Sequence, residues 1–172
     1  MNTDTTGHAF ELASIPHGAT LSIFTDGAAI DNPGPAGAAF VIVMADAEVV
    51  SRAFPLGHAT NNVAELTGPI EALRFLGERT DLKITISTDA KYVSNGFTQW
   101  LPNWKRNGWR SSTGGAVKNR ELWEALDTEA AKFPDLRWAW IKGHAGHRFN
   151  EQADELATRA AKASALEGIT NA

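Results

Sequence analysis

This chain contains no cysteine. Disulfide stapling and thiolate–zinc sites are therefore excluded, and the composition fits a reducing compartment such as the cytoplasm. It lacks any apolar run long enough to span a bilayer, and its start carries no cationic stretch followed by an apolar one. A soluble, unsecreted protein is expected, with no membrane partner. Internal repeats and low-complexity tracts are missing as well. Positive charge is in deficit, since 16 Lys and Arg stand against 20 Asp and Glu and leave a net −4. That total looks wrong for a nucleic-acid binder, but where the charges lie matters more than their sum. What is present, 172 residues of which 43% are hydrophobic and 21% charged, suits one domain with a sizeable core.

The hydrophobic pattern predicts a domain over residues 19–165, with a flexible leader at 1–18 and a loose tail at 166–172. A first strand is read at about 20–28. The Asp31-Asn32-Pro33-Gly34-Pro35 turn then leads into strands at about 36–44 and 48–56, and links this short imply an antiparallel meander. Next come a helix at 61–78, a strand at 83–88, a helix at 90–98 and a Trp-rich connecting segment. A helix at 119–133, a strand at 136–141 and a helix at 150–162 complete the order. In the last helix Ala153, Leu156, Ala157 and Ala160 form an apolar stripe that turns Asp154 toward the edge of the packed face. Gly68-Pro69 breaks the helical pattern around it, because a proline there cannot bond the carbonyl of Glu65 and clashes with it. The helix must kink, or begin late with Thr67 as its N-cap.

Four carboxylates stand out against this frame. Asp26 closes the apolar run Leu21-Ser22-Ile23-Phe24-Thr25, and Asp89 closes Lys83-Ile84-Thr85-Ile86-Ser87-Thr88. Both sit where a strand gives way to a turn or helix, which is where open α/β sheets place their chemistry. Glu65 and Asp154 fall in stretches of helical spacing that can lean over such an edge. Two bare carboxylates about 4 Å apart repel by roughly 1 kcal/mol in water and about 4 kcal/mol at an effective dielectric of 20. Four together therefore need either protons or a cation. Oxygen ligands without thiolate favour Mg²⁺ or Mn²⁺, and phosphodiester hydrolysis is the leading chemistry.

Several ordered motifs carry a specific resemblance. They are Phe24-Thr25-Asp26-Gly27, Asn32-Pro33-Gly34-Pro35, Thr60-Asn61-Asn62 with Glu65-Leu66, Ser87-Thr88-Asp89, the stretch from Trp100 to Trp109, and Lys142-Gly143-His144-Ala145-Gly146-His147 followed by Asp154-Glu155-Leu156-Ala157. Over residues 20–163 the chain resembles ribonuclease H of type 1, the bacterial form. The resemblance implies an α/β fold, a five-stranded mixed sheet with its first three strands antiparallel, flanked by helices. It also implies a monomer, with no obligatory protein partner, that cleaves the RNA strand of an RNA/DNA hybrid and leaves 3′-hydroxyl and 5′-phosphate ends.

By the same resemblance Asp26, Glu65, Asp89 and Asp154 are metal-binding carboxylates for two Mg²⁺ ions, with Mn²⁺ an alternative, and His144 is a loop histidine assisting proton transfer or product departure. Asn32, Asn61 and Asn62 match residues that read the 2′-hydroxyl-lined minor groove. His58, Thr60 and Asn119 match a pocket for a DNA-strand phosphate, and Trp100 a tryptophan that packs on deoxyribose. Trp104, Lys105 and Arg106 belong to a basic protrusion; from Leu101 to Arg120 there are five Lys/Arg and no Asp/Glu. That local field answers the acidic total.

The chain departs from the family pattern at Asp31, where a glycine is common, at Val63, often basic in relatives, and at His58, often an arginine. Two other functions share some features: a non-catalytic hybrid-binding module, which the intact quartet argues against, and a resolvase- or transposase-like nuclease, which would lack the paired asparagines and the protrusion. If His58 holds phosphate, hybrid affinity falls as pH rises through imidazole titration, since only imidazolium supplies charge. Dissociation constants across pH check this, and the wild-type slope should flatten in His58→Ala.

Overall fold

The computed structural model describes residues 11–170. Five strands, β1 (Thr20–Ala29), β2 (Gly34–Met44), β3 (Ala47–Ala59), β4 (Lys83–Thr88) and β5 (Leu136–Trp140), form one sheet in the order β3-β2-β1-β4-β5. The β1–β2 and β2–β3 pairs are antiparallel, while β4 runs parallel to both β1 and β5. The mixed five-stranded sheet expected from the sequence is the one observed. Helices α1 (Asn61–Leu76), α2 (Lys91–Asn95), α3 (Leu101–Asn107), α4 (Arg120–Ala130) and α5 (Arg148–Thr170) flank it.

Strand β2 shows why the sheet is covered on both faces. Its side chains alternate in direction, and both sets are buried. Phe40 and Ile42 join the large core with Leu66, Ile70 and Leu73 of α1 and Trp123 and Leu126 of α4. Val41 and Val43 face the other way, onto Ala153 of α5, with Phe24, Phe149 and Leu156 beside them. A strand apolar on both faces reads as a nearly continuous hydrophobic run, as Ala38-Ala39-Phe40-Val41-Ile42-Val43 does.

Glycines set how closely the layers meet. A Cβ on Gly27 would lie 2.3 Å from the backbone of Ala64 and Glu65, so α1 rests directly on β1 at the point where Glu65 approaches Asp26. On the opposite face a Cβ on Gly37 would meet the backbone of Ala161 in α5 at 2.4 Å.

Four local readings are corrected. Helix α1 neither starts late nor takes Thr67 as its cap. Thr60 is the N-cap, its hydroxyl accepting the Val63 N–H at 3.2 Å, and the helix runs through Pro69 to Leu76. The Trp-rich connection is helical: α2 leads into a π-helical turn at Gly96–Trp100 and then α3. Gly96 is in the right-handed helical region, and the Trp123 ring fills the space a side chain there would take, 2.2 Å from where a Cβ would stand. At the C-terminal end α5 continues to Thr170, beyond the point near residue 163 where the pattern fades. Of the expected flexible leader, residues 1–10 lie outside the described residues. Residues 11–18 are bound: the Arg79 guanidinium donates to the carbonyls of Leu12 (3.0 Å), Ile15 (2.9 Å) and Pro16 (3.1 Å). Asp81 pairs with Arg79 and accepts the Gly18 N–H at 2.8 Å, and Ile15 enters the core.

Gly27→Ala should destabilise the fold by roughly 3 kcal/mol, because the clash is with helix backbone that cannot rotate away. A denaturant melt measures it, and an unchanged midpoint would show that α1 can ride higher on the sheet.

Candidate active site

Asp26 lies inside β1, not at its end as read from the sequence, because the strand continues to Ala29 against β2, with Asp26 opposite Ala39. On its other side the parallel ladder with β4 stops at Phe24 and Ser87. Asp26 therefore projects past the carboxyl end of β4, next to the point where Asp89 follows that strand. Glu65, one turn into α1, leans over from the large-core side. Asp154, on the second turn of α5, comes from the other.

These four acids sense one another electrically. Burial pushes the Asp26 carboxyl up to about 8, and the charges of Asp89, Asp154 and Glu65 add to it, while the Gly27 N–H, 2.8 Å from Oδ1, works in the opposite direction. Glu65 is pushed up to about 7, by burial first and then by Asp89. Asp89 is held above the ordinary carboxylate range by burial and Asp154, countered by His144 and a hydrogen bond from Asn150. Among the described residues no three of the acidic or imidazole side chains close into a ready-made metal cage.

The donor set fits divalent metal. It is made of hard oxygens at the carboxyl end of a parallel strand pair, and one member, Asp26, is only 7% exposed with an acid–base balance a cation would restore. The surrounding backbone leaves it room: a Cβ on Gly143 would lie 2.5 Å from Asp89 Oδ2. His144 follows in an exposed loop at φ +53.

Three neighbours went unread in the sequence. Asn150 is 2% exposed, and its Oδ1 has no hydrogen-bond partner. Its spacing of four residues from Asp154 on one helix was the available signal. Trp140 Nε1 donates to the Asp89 carbonyl at 2.9 Å, and Lys91 Nζ lies 4.8 Å from the Trp140 ring centroid. Neither of these two had a sequence signature, since each is defined by a neighbour from another element.

The residues expected to meet substrate form two groups. At the β3–α1 corner His58 and Thr60 are exposed, Asn62 is exposed beside half-buried Asn61, and Asn32 Oδ1 accepts the Asn61 N–H at 2.9 Å. This bond ties the turn before β2 to the start of α1. Across α2, Asn119 Nδ2 donates to the Tyr92 hydroxyl at 3.2 Å. The second group surrounds an open cavity of about 640 Å³ lined by Trp100, Asn103, Trp104, Arg106, Asn107 and Arg110. Trp100 is 38% exposed at its rim. Trp104 packs on Trp100, Trp109 and Trp123. The local basic field is smaller than the count of five suggests. Lys105 pairs with Asp127 at 2.8 Å and Arg120 with Glu124 at 2.7 Å, both acids coming from α4.

Because the folded Asp26 carboxyl pKa lies above its ordinary value, the native state keeps a proton that the unfolded chain has released. Metal-free stability should therefore fall as pH rises from about 4 to about 8. Asp26→Asn should flatten that slope and stabilise the metal-free protein at pH 8 by ~1–3 kcal/mol. Thermal melts of both proteins in chelator across pH test this, and an equal slope in the two would refute it.

Comparison with known proteins agrees with this geometry. A family model described as RNase H matches residues 18–162. The ribonuclease H of Hydrogenovibrio crunogenus is 45% identical over 140 residues, covering 81% of this chain and 94% of that protein. Ribonuclease HI of Vibrio parahaemolyticus is 45% identical over 143 residues, covering 83% and 90%. Among solved structures, LC9-RNase H1, described as a type 1 RNase H with the type 2 active-site motif, superposes with a TM-score of 0.76 at 28% identity, covering 88% of this chain and 75% of that one. Sheet order, clustered acids and nearly full-length similarity converge on one assignment: the chain belongs to the ribonuclease H family, in its bacterial type 1 form.

Proposed function

We propose that this protein is an endoribonuclease that hydrolyses the RNA strand of RNA/DNA hybrids, leaving 5′-phosphate and 3′-hydroxyl ends. The observation that carries the proposal is the electrically coupled quartet of Asp26, Glu65, Asp89 and Asp154 in a chain of this family. Dependence on divalent metal is general to the family. In this chain the four carboxylates would hold two ions, Mg²⁺ in our reading, with Mn²⁺ also suited to the oxygen donors. Bound there, such ions activate water, polarise the scissile phosphate and stabilise the leaving oxygen.

The chain's own residues do the rest. Asp26 and Glu65 give up the protons that burial keeps on them when metal enters, so metal affinity rises with pH. His144, whose field reaches Asp89, takes up or returns a proton at its imidazole as the cleaved strand leaves. Asn32, Asn61 and Asn62 donate and accept at the 2′-hydroxyls of the RNA strand, which tells RNA from DNA without reading base sequence. His58, Thr60 and Asn119 seat a phosphate of the DNA strand, and Trp100 lies against its sugar. Arg106 and Arg110 draw the polyanion to the cavity beside Trp104, whereas Lys105 is largely spent on Asp127. The protein acts as a cytoplasmic monomer in this reading, and among the described residues no helix is long and apolar enough to cross a membrane.

An end-labelled RNA strand offered alone, in duplex RNA and in a hybrid, with and without Mg²⁺, tests the function. Cleavage is expected only in the hybrid and only with metal. Asp26→Asn should bind hybrid with near wild-type affinity while cutting at least about a thousandfold more slowly. Robust cleavage in chelator, or by this variant, would overturn the reading.

A further inference from the structure

Ser164 stands near the end of α5, ten residues past Asp154, in a stretch where the sequence pattern had faded. It is 5% exposed and joins the helix to the far edge of the sheet. Its Oγ accepts the N–H of Leu56 at 3.1 Å and of Gly57 at 3.0 Å, and donates to the carbonyl of Ala36 at 2.7 Å. These are the groups that the β2–β3 ladder leaves over. Ala36 pairs with Gly57 and Gly37 with Pro55, so Leu56 is a bulged residue without an opposite number. Gly57 completes the irregularity at φ +68. One hydroxyl thus satisfies a buried junction that a regular strand pair would have satisfied alone.

The position of that junction gives it a functional bearing. His58 follows Gly57 directly, Thr60 caps α1 two residues on, and Gly34 and Pro35, opposite Ala59 and His58, continue the turn that carries Asn32. The Asn32 to Asn61 hydrogen bond closes the loop. A cavity of about 350 Å³ lies alongside, with Pro35, Gly57 and His58 on one wall and Ser164, Ala165 and Gly168 among the residues of the other. The residues assigned to the RNA sugars and to the DNA phosphate at this corner are therefore suspended from a bulge whose loose donors are held by α5.

We propose that Ser164 is a positioning residue for the hybrid, holding the exit of β3 so that His58 and Thr60 meet the DNA-strand phosphate in register. The inference rests on the function proposed above. Removing the hydroxyl frees two amides and one carbonyl at the bulge and lets the corner relax, and a shift near 1 Å is enough to spoil a polar contact. Asp154 is about 15 Å away along the helix axis at 1.5 Å per residue, so the carboxylate quartet is left in place.

Steady-state cleavage of a hybrid by wild type, Ser164→Ala, His58→Ala and the double variant tests the proposal. Ser164→Ala is expected to raise KM about fivefold with kcat within twofold of wild type. In the His58→Ala background the same change should add less than twofold, because the two residues act through one contact; a structural defect alone would multiply in full. An unchanged KM in the folded alanine variant, a fall in kcat of the same size, or full multiplicativity in the double variant would each overturn it. Ser164→Cys, nearly isosteric and a weaker hydrogen-bonding group, is read by the same criteria should the alanine variant not fold. Absence of hybrid cleavage by wild type would sink the function itself, and is distinguishable from a normal wild type with an insensitive Ser164 variant.

Discussion

Mutual repulsion among carboxylates that the fold forces together is the constraint on which the rest of this structure depends. Asp26 is buried in the middle of a central strand, and Glu65, Asp89 and Asp154 are brought to it by three other elements. Left to themselves in water, four acids would separate. Here they are kept within reach by close backbone packing: α1 lies on Gly27 and α5 rests on Gly37. The electrostatic strain is absorbed as proton uptake at Asp26 and Glu65 when no cation is present. It is recovered as affinity when a dication is. A site that is uncomfortable alone is one that binds metal and polyanion together.

Under the proposed function the same architecture separates chemistry from recognition. The quartet sits at the carboxyl end of the β1–β4 pair, while the groups suited to the hybrid occupy two flanking regions, the β3–α1 corner and the cavity beside α3. Helix α5 spans from one function to the other, carrying Asp154 near its start and Ser164 near its end. The net negative charge is compatible with binding nucleic acid because Arg106 and Arg110 line that cavity, even though Lys105 and Arg120 are balanced by acids of α4.

Much of this was legible along the chain, for identifiable reasons. Apolar runs bounded by turn signals placed the five strands, β2 as a nearly continuous hydrophobic run buried on both faces, and the Asn-Pro-Gly-Pro turn marked the link into it. Asp26 and Asp89 draw notice as acids that follow apolar runs, while Glu65 and Asp154 are singled out by helical spacing and by the family motifs. The helix expected over 61–78 is present, and of the two outcomes allowed by Gly68-Pro69 the late start is not taken, because local propensity says nothing of a helix held down by core contacts on Leu66, Ile70 and Leu73. Gly96 falls inside the helix expected over 90–98, and only the fold shows why it is a glycine there: the Trp123 ring occupies the space a side chain would need. Asn150, at the start of the helix expected over 150–162, and Ser164, beyond its expected end, carry no sequence signal, since what distinguishes them is a partner from a distant strand or loop.

The sequence by itself determined the class of fold, the order of its elements and the family, and it singled out the four acids proposed for the site, because each rests on periodicity or on motifs that are contiguous in the chain. Tertiary structure alone decided that Asp26 is buried deeply enough to push its carboxyl up to about 8, that Lys105 pairs with Asp127, and that a serine near the end of the last helix secures the β3 bulge. Charges and hydrogen bonds act over a few ångströms of space whatever the separation along the chain, and only the folded coordinates bring residues 36, 56, 57 and 164 within that range.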